Sequence, residues 1–429
     1  MADTSPTGRL AILVGGGPAP GINGVIAAVT IQGIYRGMEV IGCQDGFRYL
    51  VQGRTDKTRR LTIDDVRPFA LRGGSMLGTA RTKPSEEQMT KVLEVFEKLG
   101  VTDLVTIGGD DTASSASRVK QRAGARIRVA HVPKTIDNDL PLPGTTPTFG
   151  FETARHYGVQ IARSMLEDAR TTSRWYILVS MGRAAGHLAL GIGKAARAPL
   201  TLIPEEFDNR PLTLESLCDL IIGSILKSKL KGYEFGIAVL AEGLIETIGV
   251  ESLERTLGGR DRLEQYGKLR FDEHGNPRLG EIAFGRMVKD FLEPRIAELG
   301  LKMTFVEKDI GYELRCIDPI PFDSEYTRDL GFAAVKFLAS PEAAEYGAII
   351  SVVDGRLHPL RFEEKLDPST SKMGTRRVDV TIEKYECARR FMDRLEPSDF
   401  EDAERVEKLA KLVNLTPDQF RARFGGLVS

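Results

Sequence analysis

At 429 residues the chain is long enough for two domains of ordinary size, each with its own core. Its 59 lysines and arginines balance 60 aspartates and glutamates, so bulk charge argues for neither nucleic acid nor an anionic membrane as partner, and any basic site must be local. The four cysteines (Cys43, Cys218, Cys316, Cys387) form no CxxC pair, which argues for reduced thiols and against a zinc site or disulfide framework. No apolar run reaches membrane-spanning length and the start, MADTSPTGR, lacks a signal-peptide core, so the expected location is the cytoplasm.

In chain order, Leu10–Val14 reads as a buried strand, Gly15–Gly21 as a loop, Ile22–Tyr35 as a helix and Glu39–Gly42 as a second strand. Arg54–Ala80 is mixed and expected to be irregular, ending in the glycine-rich LRGGSMLGTAR. The spacing of Met89, Val92, Leu93, Phe96 and Leu99 behind a serine predicts a capped helix over Ser85–Leu99. Leu104–Ile107 follows as strand, Thr112–Gln121 as helix and Arg126–Val132 as strand. Repeated βαβ units predict a mainly parallel sheet covered on both faces.

From Phe151 the pattern restarts, with helix 151–169, strand Trp175–Ser180, helix Ala185–Ala196, strand Leu200–Ile203, helix Leu214–Lys227 and strand Phe235–Leu240. The polar Glu254–Gly280 reads as loops, Ile282–Leu299 as helix, and Phe305–Asp318 as a strand and loop leading back to the first domain. Glu325–Leu338 reads as helix and Ala348–Val353 as strand. Beyond Leu366 the chain is charged and helical, with a start signal at Thr416-Pro417-Asp418.

Ligands of open parallel sheets bind at the carboxyl ends of strands, and this chain concentrates its chemistry there. GGGPAPGIN (Gly15–Asn23) joins a strand to a helix; glycines admit a phosphate to the backbone, and the helix start offers free N–H groups. It matches neither common nucleotide fingerprint, since the third dinucleotide-binding glycine falls on Pro20 and the P-loop lysine on Ile22. IGGDDTASSA (Ile107–Ala116) adds Asp110 and Asp111; carboxylates beside phosphate oxygens call for a cation between them, economically Mg²⁺. One of the two could instead cap the helix.

HVPKTIDNDLP (His131–Pro141) brings Lys134, Thr135, Asp137 and Asp139 to one loop, a base beside a cation as phosphoryl transfer to an alcohol requires. Read alone, its Asp-Asn-Asp-Leu-Pro is simply a turn. SMGRAAGHLA (Ser180–Ala189) offers Arg183 as a two-pronged phosphate grip, while Arg174 stands at the opposite end of the same strand. AEG places Glu242 at a strand end, and GYELR supplies Tyr312 and Arg315.

Taken in order, GGGPAPGIN, GTAR, GGDDT, PKTIDND, TFGFETA, SMGRAAG, AEG and GYELR resemble the phosphofructokinase family, more narrowly its pyrophosphate-dependent branch, over roughly residues 9–360. The resemblance implies two Rossmann-like three-layer α/β domains with mainly parallel sheets and an active site in the cleft between them. Residues 1–150 plus about 315–365 would form the phosphoryl-donor domain, 151–314 the sugar-phosphate domain and 366–429 a helical C-terminal extension. It implies reversible phosphorylation of fructose 6-phosphate at its 1-hydroxyl by pyrophosphate, with Mg²⁺, in glycolysis and gluconeogenesis.

Residue by residue, the resemblance makes Asp137 the base, with Lys134 and Arg183 stabilising the moving phosphoryl group. Gly16, Arg81 and Asp111 match donor-binding and donor-selecting positions, and Asp110 the metal-associated carboxylate. Thr135, Ile136, Asp137, Met181, Gly182, Arg183, Glu242, Tyr312, Glu313, Leu314 and Arg315 resemble the sugar-phosphate contacts. Arg174 matches a residue reaching the sugar phosphate of a neighbouring subunit, which implies a homo-oligomer, a dimer at least, with shared sites. ATP users of the family usually have glycine at 111 and at 134; a carboxylate at 111 adds bulk and negative charge where a nucleotide's α-phosphate would lie. An ATP-dependent enzyme, a non-catalytic sugar-phosphate sensor and a dehydrogenase are the alternatives. The base, metal carboxylate and arginines together speak against a sensor, and Pro20 against a dehydrogenase. Val25–Thr30 lacks the basic residues with which ATP-using bacterial relatives bind effectors, so no nucleotide effector response is expected.

Overall fold

Apolar residues alternating in β1 decide how the first sheet is clothed. Leu10, Ile12 and Val14 pack with the helices Ile22–Tyr35 and Pro321–Leu338, while Ala11 and Leu13 face the helices Glu86–Lys98 and Asp110–Ala123. The structure is a computed structural model and describes residues 7–271, 277–367 and 373–427. Its strands in chain order are β1 (Arg9–Val14), β2 (Glu39–Cys43), β3 (Thr58–Arg60), β4 (Asp103–Gly108), β5 (Arg128–Pro133), β6 (Trp175–Ser180), β7 (Leu200–Leu202), β8 (Gly236–Ala241), β9 (Arg270–Phe271), β10 (Pro277–Arg278), β11 (Phe305–Ile310), β12 (Ala348–Val353) and β13 (Arg356–Arg361).

The chain divides into two compact units, Met1–Ala154 with Tyr312–Arg376, and Arg155–Gly311 with Arg377–Ser429. The first is built on a seven-stranded sheet of order β13-β12-β5-β4-β1-β2-β3. Its five central strands pair in parallel, and only β3 and β13 join antiparallel, one at each edge. The carboxyl ends of β1, β4 and β5 therefore open on one side of this unit, which is where its functional loops emerge.

The second unit has a fully parallel four-stranded sheet of order β11-β6-β8-β7. Its core draws on the helices Leu214–Leu230 and Phe284–Glu298 and on the charged tail, through Val406, Leu409, Phe420 and Phe424. Thr416 caps the last helix, Pro417–Phe424, where the Thr-Pro-Asp signal predicts a start. The tail's charges also pair with the helix Leu214–Leu230: Lys227 meets Asp399 at 2.7 Å, and Arg423 meets Asp219 at 2.9 Å.

The expected α/β architecture with mainly parallel sheets is present. The differences are local. Thr58–Arg60, inside the stretch expected to be irregular, is an edge strand whose Thr-Arg-Arg carries no apolar signal. β13 was hidden by Pro359, which an edge strand tolerates because no neighbour needs its missing N–H. Helices Val250–Leu257 and Arg260–Leu263 run into the segment expected to be loops, each too short to show a full amphipathic period.

Candidate active site

The loop after β1 is held by backbone bonds before any ligand is considered. Gly15 N–H donates to Ile107 O at 2.9 Å and Gly16 N–H to Ala80 O at 3.0 Å, so GGGPAPGIN is tied to the end of β4 and to GTAR. Gly16 has φ of 80°, a left-handed conformation, and a side chain there would point a Cβ to 3.6 Å from Lys134 Nζ. Thr79 donates its hydroxyl to Gly16 O at 2.7 Å.

The ends of β4 and β5 supply the charges. Gly109 precedes the helix Asp110–Ala123, which places Asp110 and Asp111 in its first turn, where the helix dipole favours carboxylates. Asp110 Oδ1 accepts from the backbone N–H of Met373 at 2.6 Å. Asp111 pairs instead with Lys83 at 3.2 Å, at an exposed position.

Lys134 is 4% exposed, and its ammonium donates to Gly17 O. Burial lowers its pKa to about 8, the nearby Arg315 and Arg81 adding to the fall while Asp137 and Asp139 oppose it. Beyond it the loop turns through Asn138, whose φ of 57° is left-handed. Thr135 Oγ1 accepts from Asp137 N–H at 3.0 Å, and Asn138 Oδ1 from Thr148 N–H at 3.0 Å. His131, inside β5, is driven by burial down to about 3 and stays a neutral core partner of Thr106 at 2.8 Å, leaving base chemistry to the carboxylates.

These loops form an open cavity of about 200 Å³ lined by Gly16, Gly17, Pro18, Gly109, Asp110, Lys134, Thr135, Ile136, Asp137, Asp139, Leu140 and Arg315. Arg315 enters this wall from its perch over the Tyr312 ring, its guanidinium carbon 4.8 Å from the ring centroid. Three aspartates facing an ammonium and a guanidinium make a place for an anion accompanied by a cation. No cluster of three or more His, Cys, Asp or Glu forms a ready-made metal cage among the described residues. A small divalent ion needs only one or two carboxylates when phosphate oxygens complete its shell. Asp139 Oδ1, buried without a hydrogen-bond partner, and Asp110, which lines the same cavity, fit that requirement.

The remaining expected positions lie elsewhere. Arg81, Asp111, Tyr312, Glu313 and Leu314 do not line the cavity, although Arg81 acts on Lys134 through its charge; Tyr312 is exposed and Leu314 fully buried. In the second unit, β6 and β8 end together: Glu242 N–H donates to Ser180 O at 2.9 Å, and Gly182 N–H to Glu242 Oε2 at 3.3 Å. Met181 lies against Gly311, and the side chains of Arg183 and Glu242 both approach Gly280. Arg174 stands at the other end of β6, 4.0 Å from Asp168. The sequence reading missed Met373 and Arg376; they lie in no motif, and only the hydrogen bonds reaching Asp110, Asn138 and Asp139 reveal them.

Glycine-loosened turns and a helix start around a buried ammonium and carboxylates, all at the carboxyl ends of central parallel strands, suit a phosphotransferase of the α/β class. The chain belongs to the Phosphofructokinase family, which it matches over residues 9–338. It is 50% identical over 418 residues to the pyrophosphate--fructose 6-phosphate 1-phosphotransferase of Thermotoga maritima, an alignment spanning 97% of this chain and 98% of that one. It is 46% identical over 428 residues to the protein of the same name from Naegleria fowleri, spanning 98% and 95%. In fold it is similar to the phosphofructokinase of Pichia pastoris in its T-state, with a TM-score of 0.66 at 22% identity, covering 100% of this chain and 39% of that one.

Proposed function

We propose that this chain transfers a phosphoryl group reversibly between pyrophosphate and the 1-hydroxyl of fructose 6-phosphate. The observation that carries the reading is the meeting of Lys134, Asp110, Asp137 and Arg315 in one cavity of about 200 Å³. Relatives of that name, matched over nearly their whole length, support it independently.

In the proposed mechanism Asp137 accepts the proton of the sugar 1-hydroxyl as its oxygen attacks the terminal phosphorus of pyrophosphate. The new oxygen–phosphorus bond forms as the bridging oxygen leaves with orthophosphate, which can take up the proton. Lys134, Arg81 and Arg183 offset charge on the moving group, and Gly16 receives the donor at the backbone. Asp110, with Asp139 of the same cavity, would hold Mg²⁺, which when bound neutralises the donor's oxygens. The first unit carries the donor loops and also Thr135–Asp137 and Tyr312–Arg315 for the sugar phosphate; Met181–Arg183 and Glu242 of the second unit are assigned to the sugar phosphate as well, with Arg174 contributed by a second copy of the chain. The four cysteines are unpaired, which supports a reducing, cytoplasmic location, and no helix among the described residues is long and apolar enough to cross a membrane.

Turnover of fructose 6-phosphate with pyrophosphate and with ATP, each with Mg²⁺, tests the reading. Rapid formation of fructose 1,6-bisphosphate with pyrophosphate and little with ATP is expected. The reverse preference would assign the other donor, and no bisphosphate with either would remove the reading.

A further inference from the structure

The chain returns to the donor cavity in a short strap, residues 373–376, far in sequence from the loops it touches. Met373 anchors it: its side chain is buried in the sheet's core, and its N–H donates to Asp110 Oδ1 at 2.6 Å. Three residues on, Arg376 N–H donates to Asp139 O at 2.7 Å. The half-buried Arg376 guanidinium donates through Nε to Asn138 O at 3.1 Å, through Nη1 to Thr146 O at 2.7 Å, and through Nη2 to Asn138 Oδ1. Asn138 lies between the proposed base and Asp139, in the left-handed conformation that turns the loop.

We infer that Arg376 is a positioning residue for phosphoryl transfer, its guanidinium locking the Asn138 turn so that Asp137 is presented to the sugar hydroxyl. The inference rests on the phosphotransferase reading and adds to it a residue outside every motif at the site. A planar fork suits the task, because three oxygens in fixed directions must be met at once. A lysine ammonium would keep the charge and lose the directions. The main-chain bond from residue 376 to Asp139 O survives any side-chain change, so a substitution should disturb the aim of the loop more than its presence.

Kinetics of Arg376→Lys and Arg376→Ala test this. A misplacement of about 1 Å at a reacting group can cost on the order of 10²-fold in rate, so kcat of both variants should fall about 10- to 100-fold. KM for pyrophosphate and for fructose 6-phosphate should stay within about threefold in the same measurements, since Arg376 does not line the cavity. Millimolar methylguanidinium should restore part of the lost kcat in Arg376→Ala, which it would not do for a chain that had merely lost stability. Arg376→Lys keeps a cation in place and serves if the alanine variant does not fold. Arg376→Lys with kcat within about twofold of the unsubstituted protein overturns the inference, as does a loss expressed in KM alone. Failure of the unsubstituted chain to turn over would instead fall on the phosphotransferase reading.

Discussion

Lys134 is the side chain whose surroundings ask most of it. The hydration its buried ammonium loses, and secondarily the charges of Arg315 and Arg81, bring its pKa down from 10.5 to about 8. Below the folded value the lysine is charged and its burial weighs fully on stability. Between about pH 8 and 10.5 the folded chain releases a proton that the unfolded chain retains, so this contribution grows more favourable as pH rises. Binding runs the other way, because an anionic donor loses a cation as Lys134 deprotonates. The expected outcome is an alkaline limb in kcat/KM for pyrophosphate centred near pH 8, the free-enzyme value. In Lys134→Arg the limb should move at least about one unit higher, because a guanidinium stays charged there. A limb at the same pH in that variant would assign the titration to another group.

Among the elements, the loops show how far a sequence can be read. β1, β4 and β5 with their loops are legible, because apolar runs and glycine-rich turns are local signals, and Lys134, Asp110 and Asp137 do meet in one cavity. The strap is not legible: Met373 and Arg376 reach these loops through two backbone N–H groups and a guanidinium fork, and none of them leaves a pattern in composition or period. Asp111, expected to select the donor, does not line the cavity and instead pairs with Lys83 at an exposed position. Gly73 belongs to the same group of hidden contacts. A Cβ there would lie 2.0 Å from Cys316 O, and its N–H donates to Asp318 Oδ1 at 2.8 Å, so LRGG is pressed against the turn that carries Arg315. Gly73→Ala must displace one backbone or the other. A stability loss of about 1–3 kcal/mol is expected for such overpacking, with a severalfold rise in KM for fructose 6-phosphate as Arg315 shifts. Urea unfolding and steady-state kinetics on one preparation check both, and an unchanged KM would detach Gly73 from the site.

At the scale of the whole molecule, the position of Arg174 bears on assembly. It precedes β6, whereas Met181 and Arg183 follow that six-residue strand. At ~3.3 Å per residue the strand separates them by roughly 20 Å, beyond the reach of one side chain. If Arg174 meets the sugar phosphate, it does so from another copy, and a symmetric pair would exchange the contribution both ways. Asp137→Ser should lose roughly 10²- to 10⁴-fold in turnover as the base disappears, and Arg174→Ala should weaken sugar-phosphate binding, each failing in a homogeneous preparation assayed below the raised KM. In a hybrid pair, both defects fall in one site and leave the other whole. Random reassortment in a dimer should then restore roughly a quarter of normal activity, read as a rate in the mixture well above the sum of the two variants alone. Exchange of labelled subunits without any recovery would confine Arg174 to a structural part within its own chain, and each site would then have to be completed without it.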